Sequence, residues 1–312
     1  MVIGVKFMAD PKIDKTAPLT HAIKVAPARR SRTIWSASAV WGLILFFSVL
    51  MLVIFGPFLT PHSPIDFIGA PFEPPSSYAL LGTDTVGRDV LSRVLSGGSV
   101  ILGLSAIASM LGVALGGLLG IFAGYARGLV DDGIMRLLDV LLAFPQTILV
   151  LLFVSVLGSN FWLIALLVAA IHMPQVARVI RASALRVARE DFVVFAHGIG
   201  TSPIRIIVQE ILPNVASPLL VEFGLRFTYS IALIAGLSFL GLAQEPPAAN
   251  WGLMVNENRI GLMQNPWPVL APIILIALLT VGLNLLTDAY ARHAGKVNAG
   301  RSSAVDLDED DL

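Results

Sequence analysis

Composition and six long apolar stretches together predict an all-α integral membrane protein with about six transmembrane helices. Charged residues make up only 13% of the chain and hydrophobic residues 56%, with a mean hydropathy of +0.81, whereas a soluble chain carries about 25% charged residues. A helix needs about 20 apolar residues to cross a bilayer. Stretches near that length or longer lie at 35–59, 98–124, 137–158, 160–177, 215–241 and 266–288. Because lipid offers no hydrogen-bond partners to the backbone, each stretch is predicted to be helical.

The first apolar stretch, 35–59, is predicted to be a retained helix rather than a signal peptide. Its apolar run is too long, it starts some 34 residues into the chain, and no small-residue cleavage site follows it. The prolines at 60–80 predict a stiff, extended loop, because proline fixes φ and removes a donor. The third and fourth stretches are separated only by 158–160, which predicts a tight helical hairpin. The fourth stretch is the weakest of the six, because His172, Pro174 and Gln175 interrupt its end.

The distribution of basic residues predicts that both termini are cytoplasmic. With six crossings, four segments lie on one side: the tail before residue 34, the connections at 125–136 and 178–213, and the C-terminal tail. These segments hold 17 of the 21 Lys and Arg residues. Since cytoplasmic segments are enriched in Lys and Arg, this side is predicted to be the cytoplasm. An odd number of helices would place the four basic segments on different sides of the membrane.

The chain therefore divides into four regions. Residues 1–33 form a cytoplasmic tail, and 34–97 hold the first transmembrane helix and an external loop. Residues 98–290 form a core of five transmembrane helices, and 291–312 form an acidic cytoplasmic tail. A short cytoplasmic helix is predicted between the fourth and fifth membrane spans.

The motifs of several catalytic classes are missing from the sequence, so we expect no enzyme activity and no cofactor bound by this chain. The chain has no Cys, and its one Gly-Lys pair, Gly295-Lys296, is followed by Val297 and so forms no phosphate-binding loop. The five His residues are scattered without metal-ligand spacing. A net charge of zero gives no indication of nucleic-acid binding.

The connection between the fourth and fifth spans carries an apolar stripe. Phe192, Phe195, Ala196 and Ile199 fall at i, i+3, i+4 and i+7, which places them on one face of a short helix. Gly200 then allows a turn where a side chain would clash. The stripe either docks a partner or packs on the protein's own membrane base, and the pattern leaves both possibilities open.

A second short helix is predicted directly after this turn. Thr201 or Ser202 can cap it, with Pro203 in its first turn. Leu212-Pro213 is predicted to close this helix before the chain enters the membrane again.

Glu222 and Arg226 lie four residues apart within the fifth apolar stretch, and so on one face of a helix. A charge in lipid costs on the order of 3 kcal/mol, so both side chains are expected to face protein or water and to approach each other. Two interpretations stay open. The pair lines a translocation path, or it is a structural ion pair at a subunit interface.

Other polar positions allow more than one role. Asp84, Arg88 and Asp89 form a polar turn that either contacts a substrate-delivering protein or ties the external loop to the helix ends. Asp139 is expected to pair with Arg136, about one helical turn before it. Phe144-Pro145 is expected to kink the third helix, as a gating bend or as a fixed packing feature.

The spacing of Ala196, Gly200 and Leu212-Pro213 resembles the Glu-Ala-Ala–Gly–Leu-Pro signature of ABC importer permeases, with the Pro thirteen residues after the Gly. In that family this loop is the coupling helix, which sits in a cleft of the cytoplasmic ATPase. The sequence departs from the signature where the family has Glu, its first Ala and an Ile. These positions hold Val194, Phe195 and Glu210.

Further blocks, in the order expected of one group, resemble the C-type subunit of the dipeptide/oligopeptide/nickel permeases. They include Gly-Thr-Asp and Gly-Arg-Asp between 81 and 93, and Asn-Trp-Gly at 250–252. The full set spans about 80–290 and lies at 81–93, 136–139, 144–145, 202–214, 237–242, 250–252 and 284–288.

The resemblance implies a permease subunit of an ATP-driven peptide importer in the bacterial cytoplasmic membrane. It implies a second homologous permease, two cytoplasmic ATP-binding subunits that hold ATP and Mg, an extracytoplasmic substrate-binding protein and surrounding lipid as partners. The residues that it assigns to ATPase coupling are Phe192, Phe195, Ala196, Ile199, Gly200, Leu212 and Pro213. A nickel importer is the alternative within the family, and a secondary transporter or a membrane enzyme the alternative outside it.

Overall fold

The computed structural model describes residues 37–243 and 247–309, with side chains described as far as residue 295. The regular structure of this part of the chain is helical, apart from two isolated bridges, Phe67 to Arg88 and Thr83 to Asp89. The helices are α1 Ala37–Phe55, α2 Val90–Ser96, α3 Ser99–Ala126, α4 Gly128–Leu142, α5 Gln146–Leu157, α6 Phe161–Val187, α7 Asp191–Gly198, α8 Pro203–Ile206, α9 Leu212–Phe239, α10 Trp251–Asn258 and α11 Trp267–Glu309. The predicted tail at 1–33 lies outside the described residues, as do the side chains of the acidic C-terminal tail.

Five helical segments in the described chain are long and apolar enough to cross a membrane, and a bent helix pair could supply a sixth span. The predicted all-α membrane fold with about six crossings is thus confirmed. The five segments are Ala37–Phe58, Val90–Ala126, Phe161–Val187, Pro203–Phe239 and Trp267–Gly295.

A row of glycines packs α3 against α6. Gly112, Gly116, Gly120 and Gly124 recur every four residues on one face of α3. A Cβ added at Gly116 would lie 2.5 Å from the carbonyl oxygen of Met173 on α6, and the other three glycines are similarly close to that helix. Small residues at this spacing let two membrane helices approach until their backbones touch. This face therefore fixes the position of α6.

A second close crossing holds α1 to α11. A Cβ at Gly42 would lie 2.9 Å from the Cβ of Leu285, and one at Gly282 would lie 2.6 Å from the backbone nitrogen of Phe46. The first helix is therefore packed directly on the last one.

The predicted third span, 137–158, is two helices rather than one. The axes of α4 and α5 meet at 74° across a break of three residues. Proline at 145 disfavours the helical region for the residue before it, which explains why α4 ends ahead of Phe144. At 1.5 Å per residue, α5 is about 18 Å long and too short to cross the bilayer alone.

The predicted end of the fourth span at 177 was too early. α6 continues through Pro174 to Val187 and carries the chain ten residues further. An internal proline is tolerated in a membrane helix because neighbouring groups can satisfy the backbone carbonyl that it leaves unpaired.

Leu212-Pro213 does not close a separate helix, so this prediction was wrong. Helical structure runs from α8 through a π-helical turn, Ile207–Ile211, into α9. In that turn the backbone N–H of Leu212 donates to the carbonyl of Ile207, five residues back. Proline lacks an N–H, and the wider turn lets the chain pass this position without a break.

The short helix predicted between the fourth and fifth spans is present as α7. It lies at the end of the bundle where α6 finishes and α8 begins. Residues 59–89, 240–243 and 247–266 follow the opposite ends of membrane helices, and we call that side the loop end.

Candidate functional site

Arg226 and Glu222 form an ion pair near the middle of α9. The Nε and Nη2 atoms of Arg226 lie 3.0 and 2.9 Å from Oε2 of Glu222, and both side chains are buried. The helical spacing of four residues places them on one face, as the sequence indicated. Arg226 lies about 20 Å from each end of α9, so the pair is far from both ends of this membrane helix.

Two amide side chains extend this pair toward α5 and α6. Nη1 of Arg226 donates to Oε1 of Gln175 on α6. Nε2 of Gln175 lies 3.4 Å from Oε1 of Gln146 on α5, and Nε2 of Gln146 lies 3.5 Å from the carbonyl oxygen of Ile171. The result is a polar chain that crosses three helices. Sequence reasoning missed its amide members, although uncharged polar residues inside apolar spans are themselves a signal.

A second polar contact lies beside the first. Oγ of Ser230 on α9 lies 2.9 Å from Nε2 of His172 on α6 and accepts a hydrogen bond of 2.9 Å from Oγ of Ser109 on α3. All three side chains are buried. These bonds link α3, α6 and α9 around a common polar centre.

A cavity of about 370 Å³ opens next to these networks. Arg226 lies on its wall, whereas Glu222 is not among the described residues that line it. The lining side chains are Gln146, Thr147, Ile171, His172, Gln175, Arg226, Tyr229 and Leu233. The guanidinium of Arg226 also lies 5.6 Å from the ring centre of Tyr229, within reach of a cation–π contact. A wall with this many polar groups cannot face lipid without a large cost, so it faces water or protein.

The break between α4 and α5 places the amino-terminal end of α5 at this cavity. Gln146 and Thr147, the first two residues of α5, line the cavity, and Pro145 at the N-cap contributes no side-chain hydrogen bond to the described helix end. The first N–H groups of a helix lack partners within it and carry a partial positive charge. The cavity thus meets the guanidinium of Arg226 and lies beside the amino-terminal end of α5.

A separate groove of about 530 Å³ between α3 and α9 is lined by apolar side chains and Gly117. Leu118 and Leu220 lie on its exposed rim, and Leu212 lies at one end. Its chemistry suits acyl chains or another apolar helix, and it offers no polar group for recognition among its lining residues.

The residues predicted to couple to an ATPase are divided between two places. Phe195 and Ile199 project outward with 68% and 66% of their surfaces exposed, and Phe192 is 43% exposed. Ala196 instead packs inward beside the buried Val193. The predicted stripe is therefore split, with three large side chains outside and the small one inside.

Gly200 and the proline complete the predicted set at a distance along the chain. Gly200 has a φ of +79°, which favours glycine, and it reverses the chain after α7. Leu212 and Pro213 are exposed in the first turn of α9, and Leu212 lines the apolar groove.

Charged residues at the loop end form a buried network that joins the loop at 59–89 to α10. Oε2 of Glu257 lies 3.2 Å from Nη2 of Arg88 and 2.9 Å from Nη2 of Arg93. Oδ2 of Asp84 lies 2.7 Å from Nε of Arg88 and 3.3 Å from Nη1 of Arg93. Asp84, Arg88 and Asp89 are all buried, so in this chain they tie the loop to the helix ends and are not accessible to a partner.

Asp139 pairs with Arg178 rather than with Arg136, the partner that the sequence suggested. It lies 2.5 Å from Nη2 of Arg178 on α6, and Asp131 on α4 pairs with Arg181 in the same way. Helix α4 leaves the bundle at a steep angle to α5, and its acidic residues therefore meet the basic end of α6 rather than a neighbour on their own helix.

This architecture defines a polytopic membrane protein with a polar cavity between its helices and an apolar helix exposed at one end. Residues 116–296, more than half of the chain, match the family described as binding-protein-dependent transport system inner membrane component. The chain belongs to this family and is a multi-pass protein of the bacterial inner membrane. The resemblance to ABC importer permeases is thereby confirmed, and the family's transport role implies ATP use by partner ATPases.

Curated relatives agree with this assignment. A protein of Brucella suis biovar 1, provisionally named as a peptide transport system permease protein, is 36% identical over 248 residues, which cover 79% of this chain and 83% of the relative. The glutathione transport system permease protein GsiD of Pectobacterium atrosepticum is 37% identical and covers 69% and 72%. The dipeptide transport system permease protein DppC of Alkalihalophilus pseudofirmus is 33% identical and covers 80% and 83%.

A solved structure has the same fold. The chain superimposes on a chain of the methionine ABC transporter MetNI in an inward-facing conformation with a TM-score of 0.51 and 15% identity. The match covers 65% of this chain and 95% of that one. At this identity the likeness concerns the fold alone.

Proposed function

We propose that this chain is one permease subunit of an ATP-driven importer of short peptides. The names of its relatives, which describe peptide, dipeptide and glutathione transport, support this cargo class. Both peptides and glutathione carry amide and carboxylate groups, and the cavity wall offers amide and guanidinium donors that suit them.

The complete importer contains a second, homologous permease, two cytoplasmic ATP-binding subunits that hold ATP and Mg, and an external substrate-binding protein. The polar cavity supports the need for a second permease. Its lining includes polar residues of the membrane helices α5, α6 and α9, and a second permease would cover this surface and exclude lipid.

The single observation that carries the coupling role is the exposure of Phe192, Phe195 and Ile199 on α7. Three large apolar side chains on one short helix end are a typical anchor for a cleft in a partner. Val193, buried beneath them, packs α7 against the bundle, so a displacement of α7 also moves the helices that it contacts. We assign the exposed side chains to the ATPase cleft, on the cytoplasmic side that the basic residues predict.

A short turn and then a continuous helix connect α7 to the cavity. The chain turns at Gly200, enters α8, passes the π-helical turn and continues into α9, which carries Arg226. When the ATPases close on ATP, displacement of α7 would tilt α8 and α9 and change the access of the cavity to either side. The π-helical turn is the natural bending point, since its wider hydrogen-bond spacing is less regular than that of the flanking helix.

Uptake of labelled dipeptides and tripeptides, with nickel in parallel, tests the cargo. Cells with and without the gene are compared, and the gene is then restored on a plasmid. We expect peptide uptake to fall on deletion and to recover on restoration. Loss of nickel uptake alone would retain the architecture and replace the cargo, and unchanged uptake of both would reject the peptide proposal.

A further inference from the structure

The cavity wall carries a positive charge, although the ion pair to which this charge belongs is neutral as a whole. Arg226 and Glu222 balance each other as a pair, yet only the arginine lies among the described residues lining the cavity. The side facing the cavity therefore presents a guanidinium without its counter-ion. An incoming anionic group would meet the positive charge first.

Arg226 keeps donors available. A guanidinium has five N–H donors. Nε donates to Glu222 and Nη1 to Gln175, and Nη2 lies 2.9 Å from Oε2 of Glu222, so each nitrogen has one contact. Among the described residues, two N–H groups of Arg226 are thus left without a partner. The three contacts that it does make hold the guanidinium plane in place, so the two remaining donors are pre-positioned.

A second and independent feature favours the same charge. The break at 143–145 brings the start of the 12-residue helix α5 to the cavity through Gln146 and Thr147. The amino-terminal end of a broken membrane helix stabilises an anionic substrate group through its unpaired N–H groups and its dipole. Arg226 on α9 and the end of α5 approach the same cavity from different helices.

The remaining walls set the size and the polarity of the guest. Ile171 and Leu233 supply apolar surface beside the donors. A volume of about 370 Å³ is at the small end of the range for small-molecule sites and suits one or two residues rather than a long chain. The cavity combines an anion-binding corner with an apolar wall. This matches the C-terminal residue of a peptide, in which a carboxylate lies next to a side chain.

We propose that this cavity binds the C-terminal carboxylate of the transported peptide during its passage, with Arg226 as the recognising group and Gln175 as the residue that positions it. The inference rests on the proposed function, since it assumes a peptide cargo. It assigns to the permease a step of substrate selection that is separate from the external binding protein.

The test compares a radiolabelled dipeptide acid with its C-terminal amide. The complete importer is reconstituted in ATP-loaded vesicles, and each peptide is supplied with saturating binding protein, so that differences in capture do not enter the rate. Wild-type complex is expected to transport the acid faster than the amide. The double variant Glu222→Gln/Arg226→Gln, which leaves no unpaired charge, is expected to lower the acid-to-amide rate ratio about tenfold by removing a charge-assisted contact.

Two further variants act as controls. Arg178→Gln removes an arginine from the same protein outside the cavity, where Arg178 pairs with Asp139 in a half-exposed position, and it should leave the ratio unchanged. Arg226→Lys keeps the charge but loses the planar donor arrangement, and it should lower the ratio at least threefold. This variant decides the question if the double variant is not recovered as a folded complex.

The possible failures are distinguishable. If wild-type complex transports neither peptide, the proposed cargo fails and this inference fails with it. If it transports both and the ratio is the same in wild type, the double variant and Arg226→Lys, the peptide importer stands and carboxylate recognition by Arg226 is rejected. Equal loss of acid and amide transport in the variants also rejects it, because a merely structural role would affect both peptides alike.

Discussion

Oε2 of Glu222 accepts a hydrogen bond from Nε of Arg226, and Nη2 lies 2.9 Å from the same oxygen, so one carboxylate oxygen holds the edge of the guanidinium one helical turn away. The same guanidinium donates to Gln175 on the neighbouring helix α6. A charge pair within α9 thus becomes a connection between two membrane helices, and its geometry is fixed by a third residue that is distant in sequence.

Removing one charge of this pair should reduce stability more than removing both charges. Glu222→Gln leaves Arg226 as a buried unpaired cation, and we expect a loss of about 3 kcal/mol in the stability of the complex in detergent. The double variant Glu222→Gln/Arg226→Gln should recover more than half of that loss, because neither charge then stays unpaired. Thermal unfolding of wild type, the single variant and the double variant checks this, and a double variant no more stable than Glu222→Gln would contradict it.

The glycine row on α3 predicts a contrast between two identical substitutions. Gly116→Ala places a Cβ 2.5 Å from the carbonyl oxygen of Met173, so α3 and α6 must separate, with an expected cost of about 2 kcal/mol. A Cβ at Gly103 on the same helix meets no described atom within 4 Å. Gly103→Ala should be neutral or slightly stabilising, since alanine favours the helix. Midpoints of thermal unfolding measure both, and equal effects would reject the close approach.

The exposed side chain of Phe195 should be needed for coupling rather than for folding. Phe195→Ala is expected to reduce ATP-driven uptake at least tenfold, in the range of a typical interface anchor, with less than 0.5 kcal/mol lost in permease stability. Leu129→Ala is the matched control, because Leu129 on α4 is also an exposed apolar residue. Co-purification with the ATPase subunits, ATPase activity and uptake are measured together. Normal uptake by Phe195→Ala would contradict the docking assignment.

Gly200 and Pro213 mark the two ends of the connection between α7 and α9. Gly200→Trp puts a bulky side chain beside α7 at a φ that favours glycine, and Pro213→Ala removes the residue that accompanies the π-helical turn. Both variants should hydrolyse ATP with less uptake per ATP than wild type, while the folded yield changes little. Normal uptake per ATP in both variants would show that this connection does not carry the coupling.

The network at the loop end predicts a stability effect far from the cavity. Glu257→Gln removes the carboxylate shared by Arg88 and Arg93 and leaves positive charge buried, which should cost about 3 kcal/mol. Glu190→Gln makes the same chemical change at an exposed position and should stay within about 0.5 kcal/mol of wild type. Both variants are compared by thermal unfolding, and an equal effect would show that the loop-end pairs contribute little.

Much of this molecule could be predicted from local sequence. The long membrane helices can be predicted from the apolar length of their own segments, because in lipid the backbone must form its hydrogen bonds within the segment. The short helix α7 followed from the spacing of Phe192, Phe195 and Ile199, and the pairing partners Glu222 and Arg226 from a spacing of four residues. The division of the membrane-spanning structure into about six segments needed no tertiary information.

The sequence alone therefore determined the fold class, the family resemblance and the charged residues within α9, because these depend on residues close together in the chain. Tertiary structure decided which distant polar groups meet: Gln146 and Gln175 beside Arg226, Glu257 beside Arg88, and Arg178 rather than Arg136 beside Asp139. Such partners depend on how helices pack and bend, and here the bend at 143–145 and the glycine contacts of α3 with α6 set that geometry.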